Sequence, residues 1–162
     1  KNSLSKLFSG NDIDYIKIIT SCLTIKSNIV MQDEKEITGL RKVLNLGHTF
    51  AHAFEVESNY KLKHGEAVIS GIFCAIFLSE IVGYLDKVKS ELFGNDYSFM
   101  KINKSVSNLD SELVFQKMLG DKKNYSGKIN LVLINDIGNL VVDVVIAKEP
   151  IVAAIERMKK LI

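Results

Sequence analysis

Residues 39–66, GLRKVLNLGHTFAHAFEVESNYKLKHGE, contain all three histidines of the chain and decide its fold. Their spacing predicts a helix over residues 40–58, a loop through Lys63, and another helix that begins at His64. Because each helical residue advances by about 100°, the polar side chains of the first helix fall on one stripe. The members of this stripe are Arg41, Asn45, His48, His52 and Glu55. The opposite side is apolar, which predicts an amphipathic helix packed on a core.

The residue types on this stripe favour a ligand-binding surface over the alternative, a plain solvated face. Solvated helix faces are usually filled with Lys and Glu, whereas Arg, Asn and His offer directional groups that suit a small anionic ligand. His48 and His52, four residues apart, could also ligate a metal ion together, and His64 can return to the same pocket. Two histidines with a carboxylate, or three histidines, would each make such a site, and spacing alone leaves the choice open.

The chain on either side of this segment also has a helical pattern. Apolar spacing predicts a helix over residues 11–32 and a strongly apolar helix over 64–85. Residues 86–108 are mixed, which is typical of one short helix and a loop. Asp110 is placed to cap a further helix, and Gly120 can end it.

The period changes near the C-terminus. Residues 128–134 (KINLVLI) and 140–147 (LVVDVVIA) are β-branched runs around a turn-forming segment, which predicts a β-hairpin lying on the helical body. Pro150 then stands where a last helix, over residues 151–162, would begin. The expected fold class is mainly α: a single helical-bundle domain over residues 1–162 with a small C-terminal β-hairpin.

Composition limits the classes of partner. The chain has 162 residues, with 21 Lys and Arg against 19 Asp and Glu, so its formal net charge is +2. So small an excess gives no electrostatic case for nucleic-acid binding. The apolar segment 67–85 is interrupted by Glu80, which favours a buried helix over a membrane span. No signal-peptide pattern is present, and we expect a cytoplasmic protein. Cys22 and Cys74 lie in apolar stretches and are predicted to be buried and reduced.

Two further features allow two interpretations each. Glu66 could orient an imidazole from behind, or it could be an ordinary acidic residue at a helix start. Asp121, Lys122 and Lys123 follow a predicted helix end. The lysines could bind a phosphate group, or the three residues could form a charged turn.

Several segments together resemble the 3-dehydroquinate synthase family. The family signature GLR..LN.GHT.GHA is similar to residues 39–53, and its HGEAV motif is identical to residues 64–68. Residues 25–34 resemble its IKA.VV..DE segment, and Asp121, Lys122 and Lys123 with the glycines that follow resemble its DKK…G…IG stretch. The resemblance extends over essentially the whole chain, and it implies the C-terminal, mostly helical domain of such an enzyme.

The resemblance implies a reaction and a set of cofactors. These enzymes convert 3-deoxy-D-arabino-heptulosonate 7-phosphate to 3-dehydroquinate and phosphate in the shikimate pathway, with NAD and a divalent metal, zinc or cobalt. They are implied to act as homodimers. By resemblance His48 and His64 are metal ligands. The substrate-binding residues are Lys26, Arg41 and Asn45 at the carboxylate region, and His52, Lys122 and Lys123 at the phosphate. Of these, His52, Lys26 and Arg41 are expected to be catalytic.

Three departures from the family pattern shape these expectations. The chain has no G-x-G-x-x-G motif, so we expect the NAD-binding N-terminal domain to be absent from it. The family's third metal ligand, a Glu in an E-x-x-K motif, is expected upstream of Lys1. Ile37 stands where the family has an acid, and Glu36 is shifted by one position. We therefore expect the isolated chain to be inactive.

The alternatives come from three classes of protein. One is another sugar-phosphate cyclase, such as a 2-deoxy-scyllo-inosose synthase, although Lys26, Arg41 and Asn45 favour an acid substrate. A second is the helical domain of a metal-dependent alcohol dehydrogenase, which the Gly-Leu-Arg and Asp-Lys-Lys segments disfavour. The third is a non-catalytic helical module that binds only a metal ion or a partner.

Overall fold

A computed structural model describes residues 15–97, 100–120 and 129–162. It contains a mainly α-helical domain with one antiparallel β-hairpin, which confirms the predicted fold class. The α-helices are α1 (Tyr15–Gln32), α2 (His48–Glu57), α3 (His64–Ile81), α4 (Lys87–Tyr97), α5 (Ser111–Leu119) and α6 (Lys148–Lys159). The other elements are two 3₁₀ helices (Leu40–Asn45 and Lys104–Asn108) and the strands β1 (Asn130–Asp136) and β2 (Asn139–Val145).

Helix α3 lies at the centre of the core. It packs against α2, α6, β1 and α4, and 56% of its residues are buried. Its length and apolarity alone would suffice to cross a membrane, yet ten of its eighteen residues are buried in this domain. The prediction of a buried bundle helix is therefore confirmed, although the helix ends at Ile81 rather than at Leu85.

The hairpin is attached to this central helix. The two strands pair from Asn130 with Val145 to Asp136 with Asn139. The hydroxyl of Ser79 in α3 donates to the Ala75 carbonyl at 2.6 Å and accepts the backbone N–H of Ile134 at 2.9 Å. A buried hydroxyl with both roles satisfied stabilises the contact between helix and strand. The hairpin therefore lies on the helical body, as its sequence predicts.

The last two helices form where the sequence predicts them, although α6 spans Lys148–Lys159 rather than residues 151–162. The carboxylate of Asp110 accepts the backbone N–H groups of Glu112 and Leu113 at the start of α5. Pro150 lies in the first turn of α6, where a missing N–H costs nothing because no intrahelical acceptor exists there. α6 is joined to α3 by an ion pair between Arg157 and Glu80 with an N···O distance of 2.9 Å.

Two expectations about the first part of the chain are wrong. The predicted continuous helix over residues 40–58 is a 3₁₀ helix and α2, separated by Leu46 and Gly47, because Gly47 has a left-handed φ of 76°. Cys22 is exposed rather than buried, because α1 has no buried residue. Among the described elements, α1 has more than marginal contact only with the first 3₁₀ helix. The predicted start of the first helix, at residue 11, lies outside the described residues.

Candidate functional site

The three imidazoles come together at one end of the α2–α3 pair. His48 is the first residue of α2, His52 lies one turn further, and His64 is the first residue of α3. The ring centroids are 5.5 Å apart for His48 and His64, 6.0 Å for His48 and His52, and 6.5 Å for His52 and His64. The prediction that His64 returns to the pocket of the other two is confirmed.

The close packing of α2 on α3 explains this convergence. A methyl group built on Gly47 would lie 2.6 Å from the backbone nitrogen of Ile72, and one built on Gly71 would lie 2.1 Å from the carbonyl oxygen of Gly47. Ala51 of α2 and Ala67 of α3 are also fully buried. Small residues at these positions let the two backbones approach closely, which brings the first turn of α3 beside the imidazoles of α2.

Hydrogen bonds at the two Nδ1 atoms define the chemistry of the pocket. Nδ1 of His48 lies 3.2 Å from the carbonyl oxygen of Leu46. A carbonyl only accepts, so Nδ1 carries the proton and the lone pair of neutral His48 is on Nε2. Nδ1 of His64 lies 3.0 Å from Oε1 of Glu55. Glu66, in contrast, accepts the backbone N–H of Lys63 at 3.0 Å, which supports the interpretation of Glu66 as a helix-start residue.

The donor set suits a metal ion shared by His48 and His64. A zinc ion bound through one ring nitrogen lies about 3.2 Å from the imidazole centroid, so two such rings at the tetrahedral angle lie about 5.3 Å apart. The 5.5 Å between His48 and His64 is close to this distance, whereas the 6.5 Å between His52 and His64 is not. No three His, Cys, Asp or Glu side chains are grouped for a metal ion in residues 15–97, 100–120 and 129–162. Among the described residues, His48 and His64 are therefore candidate ligands only, and no complete metal site is present there.

Arg41 and Asn45 do not share a helix with the histidines. They lie on the first 3₁₀ helix, so the single stripe predicted from a continuous helix does not exist. The guanidinium of Arg41 donates to the carbonyl oxygen of Glu34 at 3.0 Å. Lys26 is exposed on α1, which packs against this same 3₁₀ helix. Their roles at a substrate carboxylate stay predictions.

Asp33 organises the turn that precedes Arg41, a function that the sequence analysis missed. Its buried carboxylate accepts the backbone N–H of Thr38 at 3.0 Å and that of Arg41 at 3.1 Å. The bond from Thr38 lowers the pKa of Asp33 below its ordinary value, and the bond from Arg41 adds to this against the opposing effect of burial. The signal for this role is an acidic residue between the end of a helix and a Gly-Leu-Arg segment.

A cleft of about 390 Å³ extends from His52 to the end of α5. Thr49 and His52 line it from α2, and Gln116, Lys117 and Gly120 line it from the other side. Lys122 and Lys123 follow in the sequence but lie outside the described residues. Thus His52 has access to a cavity that His48 and His64 do not line.

Known proteins similar to this chain are 3-dehydroquinate synthases. The family described as 3-dehydroquinate synthase C-terminal matches residues 1–124. A 3-dehydroquinate synthase of Leptospira interrogans is 40% identical over 148 residues, which are 88% of this chain and 39% of the relative. Those of Pelagibacter ubique (47% over 127 residues) and Campylobacter jejuni (37% over 153 residues) cover 74% and 90% of this chain.

The matches cover most of this chain but less than half of each relative. The chain spans only 33% to 41% of the length of these three relatives. The match nevertheless includes both histidine segments, because it extends from residue 1 to residue 124 of the chain. The chain therefore belongs to the family of 3-dehydroquinate synthase C-terminal domains.

Proposed function

We propose that this chain is the metal- and substrate-binding domain of an enzyme that converts 3-deoxy-D-arabino-heptulosonate 7-phosphate to 3-dehydroquinate and phosphate. This reaction would place it in the shikimate pathway, in the cytoplasm. The single observation that supports the proposal best is the 5.5 Å separation of the His48 and His64 rings, with His52 beside them and open to a cleft.

His48 and His64 would hold a divalent metal ion, zinc or cobalt. When bound, such an ion acidifies the substrate hydroxyl to be oxidised and stabilises the oxyanion that develops. The Nδ1–H of His48, held by the Leu46 carbonyl, places the lone pair of the neutral ring on Nε2, the nitrogen that would bind the ion. His52, on the cleft wall, would bind the phosphate end of the substrate together with Lys122 and Lys123.

Lys26, Arg41 and Asn45 would bind the carboxylate end of the substrate. A planar guanidinium suits a carboxylate because it offers two parallel N–H donors. In this structure the Arg41 guanidinium already binds the Glu34 carbonyl, so the substrate would share or replace that acceptor. This carboxylate-binding set is the reason to prefer an acid substrate over a hexose phosphate.

The remaining parts of the active site would come from further protein. Two histidines leave a catalytic zinc site one protein ligand short of the usual three, and NAD needs a nucleotide-binding half. α1 exposes several apolar side chains suited to packing against such a half or in a homodimer. They are Ile16, Ile19, Leu23, Ile25 and Met31.

Phosphate release by the full-length enzyme that contains this chain tests the proposal. With NAD and Zn²⁺ or Co²⁺, we expect release from the heptulosonate phosphate and not from a hexose phosphate. The 162-residue chain alone should release none. Release from the hexose phosphate alone would instead identify a different sugar-phosphate cyclase, and reduction of NAD by a simple alcohol would identify a dehydrogenase.

A further inference from the structure

Glu55 makes a contact that neither the family motifs nor the proposed ligand set accounts for. It lies on α2, one turn beyond His52, and its Oε1 is 3.0 Å from Nδ1 of His64 on the next helix. The side chain of Glu55 is only 16% exposed, whereas that of His64 is 59% exposed. A largely buried carboxylate thus holds one nitrogen of an otherwise exposed imidazole.

The chemistry of this contact determines which nitrogen of His64 is free. An ionised carboxylate only accepts hydrogen bonds, so Nδ1 of His64 carries the proton. The lone pair of neutral His64 is then on Nε2, the ring nitrogen away from Glu55. We propose that Glu55 is a positioning residue that holds His64 in the Nδ1–H tautomer and orients its Nε2 toward a divalent cation.

His48 has the same arrangement with a different acceptor. Its Nδ1 is held by the Leu46 carbonyl, an acceptor that no side-chain substitution removes, whereas His64 depends on a side chain. His64 is also the more exposed ring, at the first residue of a helix, where its side chain would otherwise rotate and exchange tautomers. A carboxylate behind a metal-binding histidine typically contributes about 10–100-fold in metal affinity. The cation part of the inference rests on the proposed function, but the tautomer part does not.

The tautomer can be measured directly on the 162-residue chain labelled with ¹⁵N-histidine. At a pH about two units above the usual histidine pKa of roughly 6.5, NMR two-bond couplings report which nitrogen carries the proton. We expect the Nδ1–H form of His64 in the wild type and its loss in Glu55→Ala. Glu55→Gln should give a mixture, because an amide can accept from Nδ1–H or donate to a bare Nδ1. Glu57→Ala, which removes a carboxylate from the end of the same helix, is the matched control and should leave the tautomer unchanged.

Zn²⁺ affinity of the full-length enzyme that contains this chain, measured by competition with a chromogenic chelator, provides the second readout, because the two histidines alone leave the site one protein ligand short. We expect Glu55→Ala to weaken it by about tenfold and Glu57→Ala to leave it unchanged. An unchanged His64 tautomer in Glu55→Ala, or an equal loss of affinity in both variants, would overturn the inference. If the wild type binds no Zn²⁺ but the tautomer depends on Glu55, the proposed metal site fails and the positioning contact stands. The isosteric Glu55→Gln keeps the test decisive if the alanine variant unfolds.

Discussion

Gly71 of α3 lies directly against the carbonyl group of Gly47, so that a methyl group on Gly71 would stand 2.1 Å from that oxygen. Gly47 itself has a φ of 76°, which L side chains rarely adopt. The residue after Gly47 is His48, so the packing that this glycine pair permits also positions an imidazole against α3. The two glycines therefore connect the helix packing to the geometry of the histidine pocket.

Replacing Gly71 by alanine should destabilise the chain. The clash is with backbone, which cannot rotate away, so we expect the free energy of unfolding to fall by about 3 kcal/mol. Urea denaturation followed by circular dichroism measures this change. In Gly71→Ala the shift of α2 against α3 should also weaken Zn²⁺ binding, although all three imidazoles are still present.

Gly65→Ala is the matched control, because a methyl group at Gly65 meets no atom within 4 Å and the residue lies in the first turn of the same helix. Its stability should be unchanged, or higher by up to about 1 kcal/mol through helix propensity. Equal unfolding midpoints for Gly71→Ala and Gly65→Ala would show that the α2–α3 contact is looser than described.

Asp33 should make the stability of the chain depend on pH. Its pKa is lowered in the folded state, chiefly by the Thr38 N–H, so the ionised carboxylate stabilises the fold above the unfolded-state pKa of about 4. This contribution is lost as the pH falls through the folded-state pKa. We expect Asp33→Asn to lower the thermal midpoint at pH 7 and to reduce the loss of midpoint between pH 7 and pH 3.

Glu34→Gln is the control for this effect, since Glu34 is exposed and the bond it makes to Arg41 uses its backbone carbonyl. Its pH dependence should match that of the wild type. If Asp33→Asn also kept the wild-type pH dependence, the carboxylate would not be the group that stabilises this turn.

The two cysteines should differ in reactivity. Cys22 is exposed on α1, whereas Cys74 is buried in α3, where burial raises the pKa of its thiol well above the ordinary value. Because the thiolate is the reactive form, a disulfide reagent such as DTNB should modify one thiol per chain in buffer and two in guanidinium chloride. Cys22→Ser should then show no reaction in buffer. Reaction of two thiols without denaturant would mean that the core around α3 opens readily.

The helices and the hairpin were predictable because their apolar periods are regular over many residues. The break between the first 3₁₀ helix and α2 was not, since a single glycine inside a helical pattern costs only about 1 kcal/mol and is often tolerated. What makes Gly47 a break is its contact with Gly71, 24 positions later. Such a contact depends on how α3 returns along α2, which local spacing does not encode.

The candidate site was predictable to a similar extent. The convergence of His48 and His64 followed from one histidine at each of two neighbouring helices joined by a short loop. The pairing of Glu55 with His64 did not, although Glu55 was placed on the same side as His48 and His52. Which carboxylate reaches which imidazole depends on the rotation of α3 about its axis, and Glu66, nearer in sequence, caps the helix instead.

Zn²⁺ binding by single-histidine variants distinguishes the possible ligand pairs. If His48 and His64 are the ligands, His48→Ala and His64→Ala should each weaken Zn²⁺ binding to the 162-residue chain by about tenfold or more, because one imidazole alone gives no chelation. His52→Ala should change the affinity by less than about threefold, since substitutions that remove no ligand act at most through the surroundings of the site. In the full-length enzyme, His52→Ala should keep the metal and slow phosphate release.

The expected difference in Zn²⁺ affinity among the three variants follows from the ring separations, which suit a shared ion for His48 and His64 but not for His52 and His64. Equal losses in His48→Ala and His52→Ala, with none in His64→Ala, would instead identify the pair four residues apart on α2 as the ligands.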